Sequence, residues 1–94
     1  MERIVTVVPE AGLHARPASR FVQMANQYDS EITLEPVDDG KSVNARSMLA
    51  VTGLNVESGE DVRLVAEGED AGAALDALAE VLSSPEAGDE ETGE

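Results

Sequence analysis

The one histidine of the chain, His14, stands between Gly12 and Pro17. Proline is tolerated in the first turn of a helix because no N–H is needed there, so Pro17 predicts a helix that begins close to His14. A helix N-terminus presents unpaired N–H groups and partial positive charge, and Arg16 adds a full charge. Together these features predict an anion-binding site around a nucleophile, in which a neutral imidazole accepts a phosphoryl group.

Ser47 is the second residue whose position could carry chemistry. It precedes a short apolar run that contains Met48, Leu49 and Val51, so it is predicted to be the N-cap of a short helix. A cap serine is also a good phosphorylation site, because the helix N-terminus holds the added phosphate. Either Met48 or Leu49 could be exposed and form a docking surface, and the alternative that both belong to the core stays open.

The composition excludes several classes of function. The chain has 94 residues, no Cys and 20 acidic against 6 basic residues, for a net charge of −14. Thiolate chemistry and disulfides are therefore excluded, and a nucleic-acid binder would need basic residues that this chain lacks. One histidine with scattered carboxylates shows no metal-ligand spacing, and no nucleotide fingerprint is present, so we expect no metal and no cofactor. Without an apolar run of about 18 residues we expect no membrane span, and we predict a cytoplasmic monomer.

The acid excess has two interpretations. One is an acidic docking surface for a basic partner, and the other is adaptation to molar salt, where a Debye length of about 3 Å screens repulsion between surface acids. Lys41 is the one lysine, and the excess persists when the acidic end of the chain is set aside. A diffuse distribution with almost no lysine favours the salt interpretation, so we expect low salt to destabilise the fold.

Hydrophobic periodicity predicts the elements that must position His14 and Ser47. Strands are predicted at 3–8, 31–37, 41–43 and 61–67, with a helix after His14, a short one after Ser47 and a last one capped by Asp70. This β-α-β-β-α-β-α order predicts an α+β open-faced sandwich, a four-stranded antiparallel sheet covered on one face by three helices. We expect one domain over residues 1–84, ended by Pro85, and a disordered acidic tail over 85–94.

Two motifs carry a resemblance to a known family. Residues 12–19, Gly-Leu-His-Ala-Arg-Pro-Ala-Ser, resemble the active-site signature of HPr, the histidine-containing phosphocarrier of the phosphoenolpyruvate-dependent sugar phosphotransferase system. Residues 41–49, Lys-Ser-Val-Asn-Ala-Arg-Ser-Met-Leu, resemble its serine-site motif, and Gly53-Leu54 with Gly59-Glu60 also fit. The resemblance extends over residues 2–83 and agrees with the element order predicted above.

The resemblance implies a role for each candidate residue. His14 accepts a phosphoryl group on Nδ1 from phosphorylated enzyme I and passes it to the A domain of a sugar-specific enzyme II, and Arg16 stabilises the phosphate. The predicted phosphate-binding backbone is that of Ala15, Arg16, Pro17 and Ala18. Ser47 matches a serine that a dedicated kinase/phosphorylase modifies in some lineages, and the predicted docking residues are Arg20, Met48 and Leu49.

The implied protein is a phosphorylated intermediate between enzymes and is itself no enzyme. Two alternatives stay open at the level of sequence. One is the same chemistry with another client, such as a dihydroxyacetone kinase system or a nitrogen-linked relay. The other is a regulatory binding module that transfers no phosphate. Retention of both His14 and Arg16 argues against the second alternative.

Overall fold

The computed structural model describes residues 1–84. The predictions made for Pro85 and for the acidic tail therefore lie outside the described residues. The order of elements is the predicted one, and it agrees with an α+β open-faced sandwich. Their bounds are β1 (Glu2–Thr6), α1 (Ala15–Ala25), β2 (Glu31–Pro36), β3 (Val43–Asn44), α2 (Met48–Gly53), β4 (Asp61–Glu67) and α3 (Ala71–Ser83).

The four strands form one antiparallel sheet in the order β1-β4-β2-β3. The bounds of β4 are as predicted, whereas β3 begins at Val43 rather than at residue 41. Strand β1 ends at Thr6, before the predicted end at residue 8. Beyond Thr6 the chain leaves the β1–β4 ladder, and the N–H of Val8 donates to the carbonyl of Leu82 at 2.8 Å. Val7 still pairs with the segment before β4, since its N–H donates to the Glu60 carbonyl at 2.9 Å, and the contact with α3 begins at Val8.

The core lies between the helices and one face of the sheet. Alternate residues of β2 and β4 are buried, including Leu34 and Leu64, and Phe21 of α1 is fully buried against them. The buried side chains of α1 are Pro17, Ala18, Phe21, Val22 and Ala25, and Tyr28 is partly buried beyond the helix end. Full burial of one large apolar side chain stabilises a fold by about 1.5–3 kcal/mol. The buried side chains between the helices and the sheet are therefore the main source of stability.

The other face of the sheet carries no helix in the described part of the chain. Strand register places the outward-facing residues of β1, β2 and β4 together, and we call this set the open face. Its members are Glu2, Ile4, Thr6, Glu31, Thr33, Glu35, Asp61, Arg63, Val65 and Glu67. Five of these residues are acidic and Arg63 alone is basic, with its Nε 3.9 Å from Glu2 Oε1.

Asp70 occupies the predicted N-cap of α3, but its side chain does not cap that helix. Its carboxylate instead accepts from the N–H groups of Asp29 and Ser30, at 2.9 and 3.0 Å, and from the Ser30 hydroxyl. The Ser30 hydroxyl and then the Asp29 N–H are the main causes that lower the pKa of Asp70. The same residue therefore ties the turn before β2 to the turn before α3, a contact that helix-capping rules could not predict.

Candidate functional site

His14 is the N-cap residue of α1, as predicted. Its backbone is extended, with φ −134° and ψ 164°, and its side chain is half-buried. Within residues 1–84 the imidazole makes no capping hydrogen bond. The ring therefore stands at the start of the helix without replacing the N–H partners that a serine or aspartate would supply.

The first turn of α1 leaves backbone N–H groups near this ring. The N–H of Ala18 donates to the His14 carbonyl at 3.4 Å, and Pro17 has no N–H. The N–H groups of Ala15 and Arg16 precede the helical ladder and have no intrahelical acceptor. Of the four residues predicted to form the phosphate-binding backbone, these two retain the best donors, and Pro17 contributes its fixed backbone angle alone.

The loop before His14 is held by close backbone packing. Gly12 has φ +74°, and a Cβ built there would lie 2.5 Å from the Val56 carbonyl oxygen. The next residue, Leu13, is fully buried, and its N–H donates to that same oxygen at 2.9 Å. Glycine is therefore required at position 12 for both conformation and space, and the loop is fixed to the segment that follows α2.

Ala15 is the residue of the site with unfavourable backbone geometry. Its φ is +52°, in the left-handed region that favours glycine. An alanine in this region costs about 1 kcal/mol. This unfavourable conformation lies next to His14, where the backbone turns from the extended loop into α1.

Two exposed arginines follow His14 on α1. Arg16 and Arg20 are four residues apart, so they lie on the same face of the helix, one turn from each other. No acidic residue occurs anywhere in α1. The helix N-terminus and these two guanidinium groups therefore produce a positive potential around the imidazole.

Ser47 is the N-cap of α2, as predicted, and its Oγ accepts from the Ala50 N–H at 3.2 Å. The alternative that Met48 and Leu49 are both core residues is wrong, because their exposed fractions are 39% and 83%. Val51 is the residue that this short helix buries. Because α2 packs against α1, two exposed apolar side chains lie on the helix next to the one that begins at His14.

The charged residues are not evenly distributed along the chain. Residues 11–28 and 40–56 contain four of the six bases, Arg16, Arg20, Lys41 and Arg46, and no acid. We call these two segments the acid-free region. All 15 acids of residues 1–84 lie in the rest of the fold. The prediction of a diffuse charge distribution is therefore wrong in this respect, since the acids avoid both α1 and α2.

Residues 1–84 hold no group of three or more histidine, aspartate or glutamate side chains that could bind a metal ion. No helix within the same residues is long and apolar enough to cross a membrane.

Comparison with known proteins agrees with the geometry of this site. Residues 1–84 match the family model described as "PTS HPr component phosphorylation site". The phosphocarrier protein HPr of Haloferax volcanii is 64% identical over 87 residues, which cover 93% of this chain and 98% of that protein. A crystal structure of HPr from Bacillus anthracis superposes with a TM-score of 0.84 at 40% identity, covering 88% of this chain and 96% of the other.

A further relative has a known assembly. The Bacillus subtilis catabolite repression protein Crh is 46% identical, covers 83% of this chain and 87% of its own, and has a TM-score of 0.68. That structure is described as a dimer with a swapped domain. The likeness in sequence and fold thus includes a relative that forms a dimer.

The chain belongs to the HPr family of phosphocarrier proteins of the phosphotransferase system. Family membership makes it a phosphocarrier rather than a catalytic enzyme. The similarity to the Haloferax protein is consistent with the origin in a halophile that the acid excess predicts.

Proposed function

We propose that this chain accepts a phosphoryl group on His14 from phosphorylated enzyme I and passes it to the A domain of a sugar-specific enzyme II. The observation that carries the proposal is the position of His14 at the N-terminus of α1, with Arg16 in the same first turn. An imidazole in that position has donors and positive charge beside it for the incoming oxygens.

The transfer moves one phosphoryl group and leaves no net product on the carrier. The lone pair of His14 Nδ1, the nitrogen that the family resemblance indicates, attacks phosphorus. A P–N bond forms while the bond from phosphorus to the donor atom of enzyme I breaks, and its electron pair returns to that atom. The N–H groups of Ala15 and Arg16, with the Arg16 guanidinium, hold the phosphoryl oxygens during both half-reactions. The second step reverses the first, with an acceptor atom of the enzyme II domain as nucleophile.

The docking surface in this proposal combines charge and apolar area. Leu49 and Met48 supply exposed apolar side chains, and Arg20 supplies charge one turn along from Arg16. Large exposed apolar residues near the centre of an interface contribute most of its binding energy. Enzyme I and the enzyme II domain are therefore expected to use the same surface in turn.

Ser47 is proposed as a regulatory phosphorylation site for a serine kinase/phosphorylase. The half-buried hydroxyl caps α2 through Ala50, so a phosphate in its place would still face the helix N-terminus. The new negative charge would lie two residues from Leu49 and would oppose docking by an acidic partner.

The protein is further proposed to act as a cytoplasmic monomer, with residues 1–84 as its one domain. The swapped dimer of the Crh relative makes the oligomeric state a matter for direct measurement. Light scattering after gel filtration in molar KCl should give the mass of one chain, and a dimer mass would contradict this part of the proposal.

The deciding experiment is phosphoryl acceptance in molar KCl. The protein is mixed with phosphoenolpyruvate, Mg²⁺ and enzyme I from the same cell, and its intact mass is read before and after brief acid treatment. We expect a gain of one phosphoryl group that acid removes. The variant His14→Ala should fold normally and gain nothing, whereas Ser47→Ala should gain the group like the unaltered chain.

Two results would count against the proposal. No mass gain with an enzyme I that phosphorylates the Haloferax relative would favour a regulatory binding module. An equal gain by His14→Ala would move the acceptor to another residue. If the gain occurs but no enzyme II domain accepts the group, a different client receives it, and a dihydroxyacetone kinase or nitrogen-linked relay becomes the acceptor to test.

A further inference from the structure

Arg46 directly precedes Ser47, the N-cap of α2, and its side chain binds backbone carbonyl groups of another segment. Its Nη2 donates to the carbonyl of Tyr28 and, at 3.1 Å, to that of Ser30. Both carbonyls lie between the end of α1 and the start of β2. The Arg46 side chain therefore ties the start of α2 to the end of α1.

We propose that Arg46 is a positioning residue for phosphoryl transfer, which holds α2 and the exposed Leu49 where a partner that reaches His14 can dock. This role rests on the proposed function, since docking on α2 is part of that function. Arg46 differs in this respect from Arg16, whose guanidinium is proposed to contact the phosphoryl group itself. Its effect is therefore expected on partner binding and not on the chemical step.

The turn that receives the Arg46 side chain is itself fixed. Ser30 is buried, and its N–H and hydroxyl both donate to the Asp70 carboxylate. A Cβ built on Gly68 would lie 2.6 Å from Ser30 Oγ, so the backbone before α3 packs closely against this turn. The carbonyl groups that accept from Arg46 thus have a set position relative to the rest of the fold.

Helix α2 depends on such an attachment because it is short. It has six residues, of which Val51 is the buried one, and a helix of this length is marginal on its own. Just before the helix, the N–H of the buried Ala45 donates to the Ile32 carbonyl at 3.0 Å, which attaches the backbone to β2. One attachment fixes a point, and the second, through Arg46, fixes the direction in which α2 leaves it.

Three variants separate the hydrogen bonds of Arg46 from its charge. Arg46→Met keeps a stem of similar length and has no donor, whereas Arg46→Lys keeps the charge and a head group with three N–H donors. Lys41→Met removes one positive charge from the same acid-free region and is the matched control. In molar KCl, where exposed charges are largely screened, this control should behave like the unaltered chain.

The test compares two phosphoryl donors in molar KCl. Phosphorylated enzyme I must dock, whereas phosphoramidate is small and needs no docking surface; its P–N bond breaks, ammonia leaves and His14 receives the phosphoryl group. With enzyme I we expect Arg46→Met to raise the KM for the carrier by about tenfold with kcat nearly unchanged, because weaker docking affects the ground state and the transition state alike. With phosphoramidate its rate should equal that of the unaltered chain, and Arg46→Lys should restore most of the KM.

Three results with these donors would overturn the proposal. An unchanged KM in Arg46→Met would show that docking does not depend on Arg46. An equal rise in KM for Arg46→Met and Lys41→Met would show an effect of charge. An equal loss of rate with both donors would show that Arg46 acts on the phosphoryl site or on overall folding.

Hydrogen exchange tests the attachment without a partner or a phosphoryl donor. The N–H of Val51 donates to the Ser47 carbonyl at 2.9 Å in α2, and the N–H of Val7, near the opposite edge of the sheet, donates to the Glu60 carbonyl at 2.9 Å. Arg46→Met should speed exchange at Val51 several-fold and leave Val7 unchanged, because α2 opens locally. Unchanged exchange at Val51 overturns the attachment, and it does so even where enzyme I fails to phosphorylate the unaltered chain and the proposed function is lost.

Discussion

The acid-free region and the open face carry charge of opposite sign on one small fold. The first holds four bases and no acid, with Arg16 and Arg20 on the helix that begins at His14, and the second holds five acids around Arg63. Both belong to a chain with a net charge of −14. The difference shows that an acidic surface suited to molar salt stops where the chain must meet a phosphoryl group.

Screening by salt explains why acids need to be absent only from the acid-free region. In about 1 M salt an exposed charge more than about 3 Å from another is largely screened, so acids on the open face would not weaken the binding of the phosphoryl group proposed for His14. An acid next to Arg16 would be close enough to do so. Acidic residues can therefore occupy the rest of the surface, whereas acidic residues on α1 or α2 would oppose the binding of the phosphoryl group.

The largest expected difference between the two regions concerns one arginine in each. Replacing Arg16→Gln removes a charge-assisted hydrogen bond to the phosphoryl oxygens and should slow acceptance by roughly 10- to 100-fold. Replacing Arg63→Gln removes the same charge from the open face and should leave the rate unchanged in molar KCl. Stopped-flow or quenched-flow measurement of phosphoryl acceptance compares them, and equal losses would remove the distinction between the regions.

The second comparison concerns one exposed apolar residue in each region. Leu49 is 83% exposed and Ile4 on the open face is 54% exposed. If docking uses α2, Leu49→Ala should weaken binding to enzyme I by about tenfold, which corresponds to a loss of about 1.4 kcal/mol. Ile4→Ala should bind normally. Calorimetric titration in molar KCl measures both, and a loss confined to Ile4→Ala would place the interface on the sheet.

The third prediction concerns stability in salt. Repulsion among the acids is unscreened in dilute buffer, so raising KCl from about 0.1 to 2 M should stabilise the fold by at least about 1 kcal/mol, which is roughly 4–8 °C in Tm. Neutralising Glu31, Glu35 and Glu67 to glutamine should reduce that rise. Thermal unfolding followed by circular dichroism measures it, and a Tm independent of KCl would contradict the salt interpretation of the acids.

The smallest expected effect concerns the free energy of unfolding when an alanine is replaced by glycine, next to His14 or in α3. Ala15→Gly relieves the left-handed φ of +52° and should stabilise the fold by up to about 1 kcal/mol, partly offset by the entropy of glycine. Ala73→Gly, at an exposed position in the first turn of α3, should instead destabilise it by up to about 1 kcal/mol. Urea unfolding gives both values, and a loss of stability in Ala15→Gly would mean that the backbone there is unstrained.

Local signals predicted most of the site. Pro17 and the apolar spacing after it placed the start of α1 at His14, and Ser47 was recognisable as a cap because capping depends on neighbours three residues away. The exposure of Leu49 was left open, because a two-turn helix offers too few residues to define its buried face. The Asp70 contacts to Asp29 and Ser30 could not be predicted, because about 40 residues separate the partners and only the folded chain joins them.

The hydrogen bond from the Leu13 N–H to the Val56 carbonyl sets the geometry in which a partner meets this protein. It links the segment before α1 to the segment after α2 through two backbone groups, beside Gly12, where a Cβ would clash with the Val56 carbonyl oxygen. If a partner docks on Leu49, as proposed, this contact sets the distance at which it meets His14. The orientation is established when the chain folds, so successive partners need to match one rigid template.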